Sequence, residues 1–376
     1  MTDERAKELD GLRGLSIILV IAFHTLKRAA YFTKHETLHF ISNLSYIGWL
    51  GVDIFFVLSG FLITSILLKT KDANYYFRNF YARRILRIFP LYYVFIAVML
   101  VWLPTLVPEY AASVPVVAPF LFLYLQNWMG YFGASAPGLP AHLAATWSLA
   151  IEEQFYLIWP MVVYYFRREM LIKISLGVIL LSFFYRIQAV LLWENPEHIA
   201  SFFYFDIFTR FSEIIFGALL AALYVDNSWR ERIRSYSLPI FLVSFSGFVI
   251  LCVNLFPGLI PYYSNMPLTL WSYTLIPLFS ASLIGVLLTH PVKNPLRIIF
   301  RNKLLGFFGK YSYSMYLLHM PVALLLLDPM YDTRLKGWKM YLAYTIAVYA
   351  VTALGSLLTW HLLEKRMLNL KKYFEY

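Results

Sequence analysis

The chain has 376 residues, of which 60% are hydrophobic, 19% aromatic and only 14% charged, a balance too apolar for a soluble globular domain. Ten spans of about 20 residues would use roughly 200 of them, because a helix rising ~1.5 Å per residue must cross ~30 Å of hydrocarbon, and no room is left for a large soluble domain. Thirty-two Lys and Arg against 21 Asp and Glu give a net charge of +11, which in a membrane protein marks cytoplasmic loops and not nucleic-acid binding.

In chain order, Met1 to Asp10 carries four acids and two bases, not the basic region of a cleavable signal peptide, so the first span is expected to be retained. Apolar stretches long enough to cross run over 12–32, 47–68, 91–108, 146–166, 174–192, 204–225, 238–257, 270–290, 312–330 and 340–362. The run Val116–Trp128 is short, and Pro115 and Pro119 interrupt its start, so it reads as interfacial or re-entrant. With both termini cytoplasmic, 24 of the 32 bases fall inside the cell. Six fall outside (Lys27, Arg28, Lys34, Arg334, Lys336 and Lys339), and Arg186 and Arg210 lie within spans. Trp49, Trp147, Trp193, Tyr92 and Tyr93 sit at span ends, where amphipathic rings are favoured. The expected fold is an all-α bundle of about ten spans, one domain over 1–376. The single cysteine, Cys252, excludes an intramolecular disulfide and a cysteine zinc cluster.

Charges at membrane depth cost about 2.5–3.5 kcal/mol each, so several together require an explanation. Counting helical rise from the outer ends puts His24, Asp53, Glu152, Glu153, Arg186, Arg210 and Glu213 at about 9–13 Å, in one layer drawn from five helices. One reading is a structural ion-pair network, since Asp206 and Arg210 are four apart and Arg210 and Glu213 three apart. The other is chemistry. His24 lacks a local partner and is the general-base candidate, with Asp53 its orienting carboxylate by depth, although a lone histidine can equally be a packing residue. Arg13 lies eleven residues earlier on the same helix face, at the cytoplasmic mouth. Beside that mouth, Phe80–Pro90 with Arg83, Arg84 and Arg87 is amphipathic and basic, suited to anionic lipid headgroups or to the phosphates of a substrate. His319 counts to about 10 Å above the cytoplasmic end of its span, outside the layer. His361 falls near a cytoplasmic end, and His35, His39, His142 and His198 fall in outer loops. No histidine pair has metal-ligand spacing within one helix, and no nucleophile elbow or phosphate loop is present.

Leu9-Asp10-Gly11-Leu12-Arg13-Gly14-Leu15 leading to His24, and Gly51-Val52-Asp53-Ile54-Phe55-Phe56-Val57-Leu58-Ser59-Gly60, open a series of ordered motifs. Arg84-x-x-Arg87, Thr146-Trp147-Ser148-Leu149-Ala150-Ile151-Glu152-Glu153-Gln154, Arg210-Phe211-Ser212-Glu213 with Gly217, Ser312 to His319 and Glu364-Lys365 follow. The series resembles the membrane acyltransferase-3 family of bacterial O-acyltransferases over essentially the whole chain. The resemblance implies transfer of an acyl group, commonly acetyl, from cytoplasmic acyl-coenzyme A to a sugar hydroxyl across the membrane. His24 would be the essential catalytic residue, Arg13, Arg84 and Arg87 donor-side residues, and Glu152, Glu153, Arg210 and Glu213 polar residues along the path. Some relatives append a soluble SGNH hydrolase-like domain, whereas this chain stops fourteen residues after its tenth expected span.

The combined expectation is a plasma-membrane O-acyltransferase using acyl-coenzyme A and no metal, acting on a carbohydrate or lipid-linked glycan among membrane lipids. His24 held by Asp53 would deprotonate the acceptor or form an acyl-histidine, with Glu153 the reserve acid–base group. Arg186 or Arg210 would hold the oxyanion, and His319 would lie on the substrate path. The rival expectation is a transporter or flippase for an anionic or lipid-linked sugar, with the charged layer as its translocation site.

Overall fold

The computed structural model describes residues 3–132, 139–192, 202–255, 266–331 and 336–375; Trp193, His198 and Arg334 lie outside them. These residues form helices joined by short turns, with no strand among them. In order they are α1 (Asp3–Ala29), α2 (Glu36–Leu44), α3 (Leu50–Thr70), α4 (Tyr76–Leu106), α5 (Val114–Phe122), α6 (Trp147–Tyr165) and α7 (Arg168–Leu192). Then come α8 (Ile207–Tyr224), α9 (Asn227–Leu255), α10 (Met266–Thr289), α11 (Pro295–Phe300), α12 (Lys303–Lys310), α13 (Ser312–Leu325) and α14 (Leu327–Tyr331). Last, α15 (Trp338–Thr359) passes through a π-helical turn, Trp360–Glu364, into α16 (Lys365–Asn369).

Among the described residues eight helices are long and apolar enough to cross a membrane, making this an all-α polytopic bundle. Two of the ten expected spans fall short of that measure. Over 146–166 the chain forms α6, 19 residues carrying Glu152, Glu153 and Pro160, and over 312–330 the helix breaks at Leu326 into α13 and α14. The basic segment before Pro90 and the span after it are one 31-residue helix, α4, because Pro90 and Pro104 are absorbed within it. Along α4, Val94, Val98 and Val101 are exposed at i, i+4 and i+7, whereas Leu91, Tyr92, Phe95, Ile96 and Met99 are buried. An apolar outer stripe of that kind is what lipid selects.

The chain divides into two compact units. The first comprises Met1–Leu19, Trp49–Lys71 and Phe155–Lys310, the second Val20–Gly48, Asp72–Gln154 and Tyr311–Tyr376, so α1 and α6 each contribute to both. In the first unit α3 packs on α8, and α9 on α10, around Leu12, Ile54, Val57, Phe61, Ala221, Ile284 and Leu287. Glycine sets how closely α3 and α8 approach. A methyl group on Gly60 would collide with the Ile214 carbonyl, and one on Gly217 with the Val57 carbonyl, so neither position has space for any side chain. In the second unit α13 packs on α15 and on the turn Ala141–Thr146, and Tyr344 donates to the Ala323 carbonyl at 2.6 Å.

Candidate active site

In the second unit two imidazoles meet. His24, half-buried on α1, has Nδ1 3.0 Å from the Val20 carbonyl, one turn back, and 3.2 Å from Nε2 of His319. His319, fully buried on α13, has its own Nδ1 2.7 Å from the Tyr316 carbonyl. A carbonyl only accepts, so Nδ1 of each ring carries the hydrogen. That leaves the lone pair of His319 on Nε2, where it accepts from His24 Nδ1–H, and it leaves the lone pair of His24 on Nε2. No described residue bonds His24 Nε2. Arg28, one turn on, donates from Nη1 to the His24 carbonyl at 2.5 Å, and its charge acts on both imidazoles.

Neighbouring side chains hold this pair. Tyr316 hydroxyl bonds Ser148 Oγ at 2.6 Å and the Ala145 carbonyl at 3.0 Å, fixing α13 to the start of α6. Glu152 is one turn beyond Ser148 on the same helix face. Glu153 lies in the electrostatic range of Arg84 and of the phenols Tyr92, Tyr93, Tyr124 and Tyr313. Gln154 clamps the segment after α5, donating to the Tyr124 carbonyl at 2.8 Å and to Asn127 Oδ1 at 2.9 Å. Tyr313 donates to the Ile88 carbonyl of α4 at 2.8 Å, and six residues on, about 9 Å of rise, the same helix presents His319. Arg84 and Arg87 of α4 therefore belong to the same unit as the histidine pair. Arg13 belongs to the first unit, where it pairs with Asp10 at 2.8 Å.

The first unit holds a separate polar cluster. Arg210 on α8 pairs through Nη2 with Asp53 of α3 at 2.5 Å and through Nη1 with Glu213 at 2.8 Å, all three fully buried. Its guanidinium lies 4.9 Å from the Tyr273 ring centre and 5.3 Å from that of Phe56. Arg186 of α7 donates to Thr274 Oγ1 at 2.8 Å and to Ser182 Oγ at 3.3 Å, and its charge acts on Glu213. Asp53 lies seven residues before Gly60 and Arg210 seven before Gly217, so the face that allows close approach also carries the ion pair. Asp206 caps α8, accepting from the Thr209 amide at 2.7 Å.

Asp53, expected as the carboxylate of His24, is engaged by Arg210, and the hydrogen-bond partners of His24 among the described residues are a carbonyl and an imidazole. His319, placed by counting on the wrong side of the midplane, is the ring that His24 meets; the count assumed a straight full-length span, whereas α13 has only 14 residues. Of the seven charges, His24, Glu152 and Glu153 belong to the second unit and Asp53, Arg186, Arg210 and Glu213 to the first. Arg28, Tyr316 and Ser148 were not anticipated. The i, i+4 spacing of His24 and Arg28 and the i, i+3 spacing of Tyr316 and His319 are the signals that could have found them.

Residues 6–361 match the family model of an acyltransferase domain. The chain is 32% identical over 350 residues to the peptidoglycan O-acetyltransferase OatA of Listeria monocytogenes, covering 88% of this chain and 51% of that protein. It is 32% identical over 375 residues to the putative peptidoglycan O-acetyltransferase YrhL of Bacillus subtilis, covering 95% and 54%, and 28% identical over 330 residues to the O-acetyltransferase OatA of Staphylococcus aureus, covering 84% and 50%. The chain thus spans about half the length of these relatives. No solved structure matches it. The order of its motifs and the extent of that match agree: the chain belongs to the acyltransferase-3 family, as a multi-pass protein of the bacterial plasma membrane.

Proposed function

We propose that the chain is an O-acetyltransferase that moves an acetyl group from cytoplasmic acetyl-coenzyme A to a hydroxyl of an extracytoplasmic envelope glycan, peptidoglycan by analogy with its relatives. The observation that carries this reading is the imidazole pair in which both Nδ1 hydrogens are committed and His24 Nε2 keeps its lone pair. His24 Nε2 takes the acceptor hydroxyl proton as that oxygen bonds to the thioester carbonyl carbon; the carbon–sulfur bond then breaks and the proton passes to the departing sulfur. His319 is the positioning residue, filling the place a carboxylate holds in other histidine bases. Arg28 supplies positive charge beside the developing oxyanion. Arg84 and Arg87 hold donor phosphates, as planar guanidiniums favour.

The test uses purified full-length chain in nanodiscs with radiolabelled acetyl-coenzyme A and a soluble glycan acceptor. Label should enter the acceptor with wild type and not with His24→Asn. A preparation that moves lipid-linked sugar across vesicles but cleaves no thioester would favour the transporter reading instead.

Both termini are read as cytoplasmic, with ten crossings. Support comes from the direction of α3 and α8: Asp53 meets Arg210 while Gly60 and Gly217, seven residues further along each, meet the partner helix, so the two run parallel. Parallel neighbours need an odd number of crossings between them, which α4, α6 and α7 supply together. A cysteine at Glu109 should react with an impermeant thiol reagent from outside intact cells, and one at Ser228 should not; the reverse result overturns this topology.

A further inference from the structure

The second unit carries a cluster of cations only partly used by the chemistry above. Arg83, Arg84 and Arg87 lie within five residues on α4, and the half-buried Lys371, in the turn after α16, sits in the field of all three, most strongly that of Arg87. Lys371 is held there by the fold. Asn79 Nδ2 donates to the Glu375 carbonyl at 2.6 Å, and Arg83 Nη1 donates to the carbonyls of Phe374 at 3.2 Å and Lys371 at 3.4 Å. These bonds fasten the segment along α4 and draw an ammonium toward three guanidiniums against their repulsion. Two carboxylates answer part of the charge, Glu153 acting on Arg84 and Glu364 on Arg87. Four cations gathered along one helix and the segment fastened to it suit a multiply charged anion.

We propose that Lys371 completes, with Arg84 and Arg87, one site for a multiply phosphorylated nucleotide, and that Arg83 is the strut that places it. The inference rests on the acyl-coenzyme A reading and deepens it, making the segment after α16 a wall of the donor site. Lysine serves as a compact point charge for phosphate, beside arginines that bind through flat forks. A phosphate-bearing lipid headgroup offers the same chemistry, and the experiment must separate the two.

Full-length chain in phosphatidylcholine nanodiscs is titrated with adenosine 3′,5′-bisphosphate. Lys371→Gln should weaken binding about ten- to a hundredfold, the usual loss for a charge-assisted bond. Lys371→Arg should keep most of the affinity, separating lost charge from damage to the segment, and Lys372→Gln, at an exposed neighbouring position, should leave it unchanged. If Lys371→Gln binds like wild type while Arg84→Gln is weakened, the inference fails and the donor reading stands. If wild type binds no bisphosphate, both fail; a rise in melting temperature on adding phosphatidylglycerol that disappears in Lys371→Gln then assigns the cluster to lipid headgroups.

Discussion

The two compact units each bury a polar cluster, and they satisfy it by opposite means. In the first, two guanidiniums, Arg186 and Arg210, stand among two acidic side chains, Asp53 and Glu213, with hydroxyls and aromatic faces as further partners. In the second, two neutral rings are fixed by carbonyls and by each other, and one nitrogen is left over. Burying charge is tolerable only when it is paired, whereas an unspent lone pair on a half-buried ring costs little and can take a proton. The first cluster is closed by its own partners, whereas the second keeps a lone pair on its half-buried ring.

Substitutions can break or sharpen that contrast. The largest effect is expected at His24. Asparagine keeps polarity but has no basic nitrogen near neutral pH, so His24→Asn should lower transfer by about 10²–10⁴ while yield and bisphosphate binding stay near wild type. Retention of a tenth of the activity would put the chemistry elsewhere. Arg210→Met should do the reverse of a clean kinetic defect: it strands two buried carboxylates, a loss of about 3–5 kcal/mol read as a collapse in folded yield and melting temperature. A stable, inactive Arg210→Met protein would make the first cluster part of the chemistry after all.

Smaller effects test the supports. Gly217→Val should cost about 1–3 kcal/mol, since the new side chain meets the backbone carbonyl of Val57, which has no rotamer to give way. The melting temperature should fall without a change in donor KM. The smallest loss belongs to His319→Phe. The Val20 carbonyl still holds the His24 proton on Nδ1, so transfer should fall only about tenfold, and His319→Gln, whose amide oxygen accepts in place of Nε2, should recover most of it. Equal losses in both variants would make His319 a packing residue.

What could be read from the sequence was which residues are costly; what could not be read was which way each one turns. Asp53, Arg210 and Glu213 stand out as charges in apolar runs, and spacing alone pairs Arg210 with Glu213. Linking Asp53 to Arg210 needs the glycines seven residues beyond each, a signal of helix contact and not of depth. The meeting of His24 and His319 was out of reach because it joins residues nearly 300 positions apart through a helix too short for a full span. The continuity of α4 through Pro90 was hidden for a different reason: proline reads as a stop in water, but a helix bedded among neighbours can carry it.

The π-helical turn at Trp360–Glu364 has a genetic corollary. A π turn is equivalent to one residue inserted into an α-helix, so everything after it is clocked about 100° around the axis from where an unbroken helix would point. Loss of a single codon there would remove the inserted residue and leave an ordinary helix whose following turns keep their present bearing. Lys365, Arg366, Lys371 and Lys372 would all still be encoded, and composition and charge would be unaltered but for one residue. Their bearing on α4 would be kept, so one-residue deletions inside the π turn should be tolerated, whereas a one-residue deletion in the α-helical turns just before it should swing these cations by about 100° and behave like point substitutions several residues downstream.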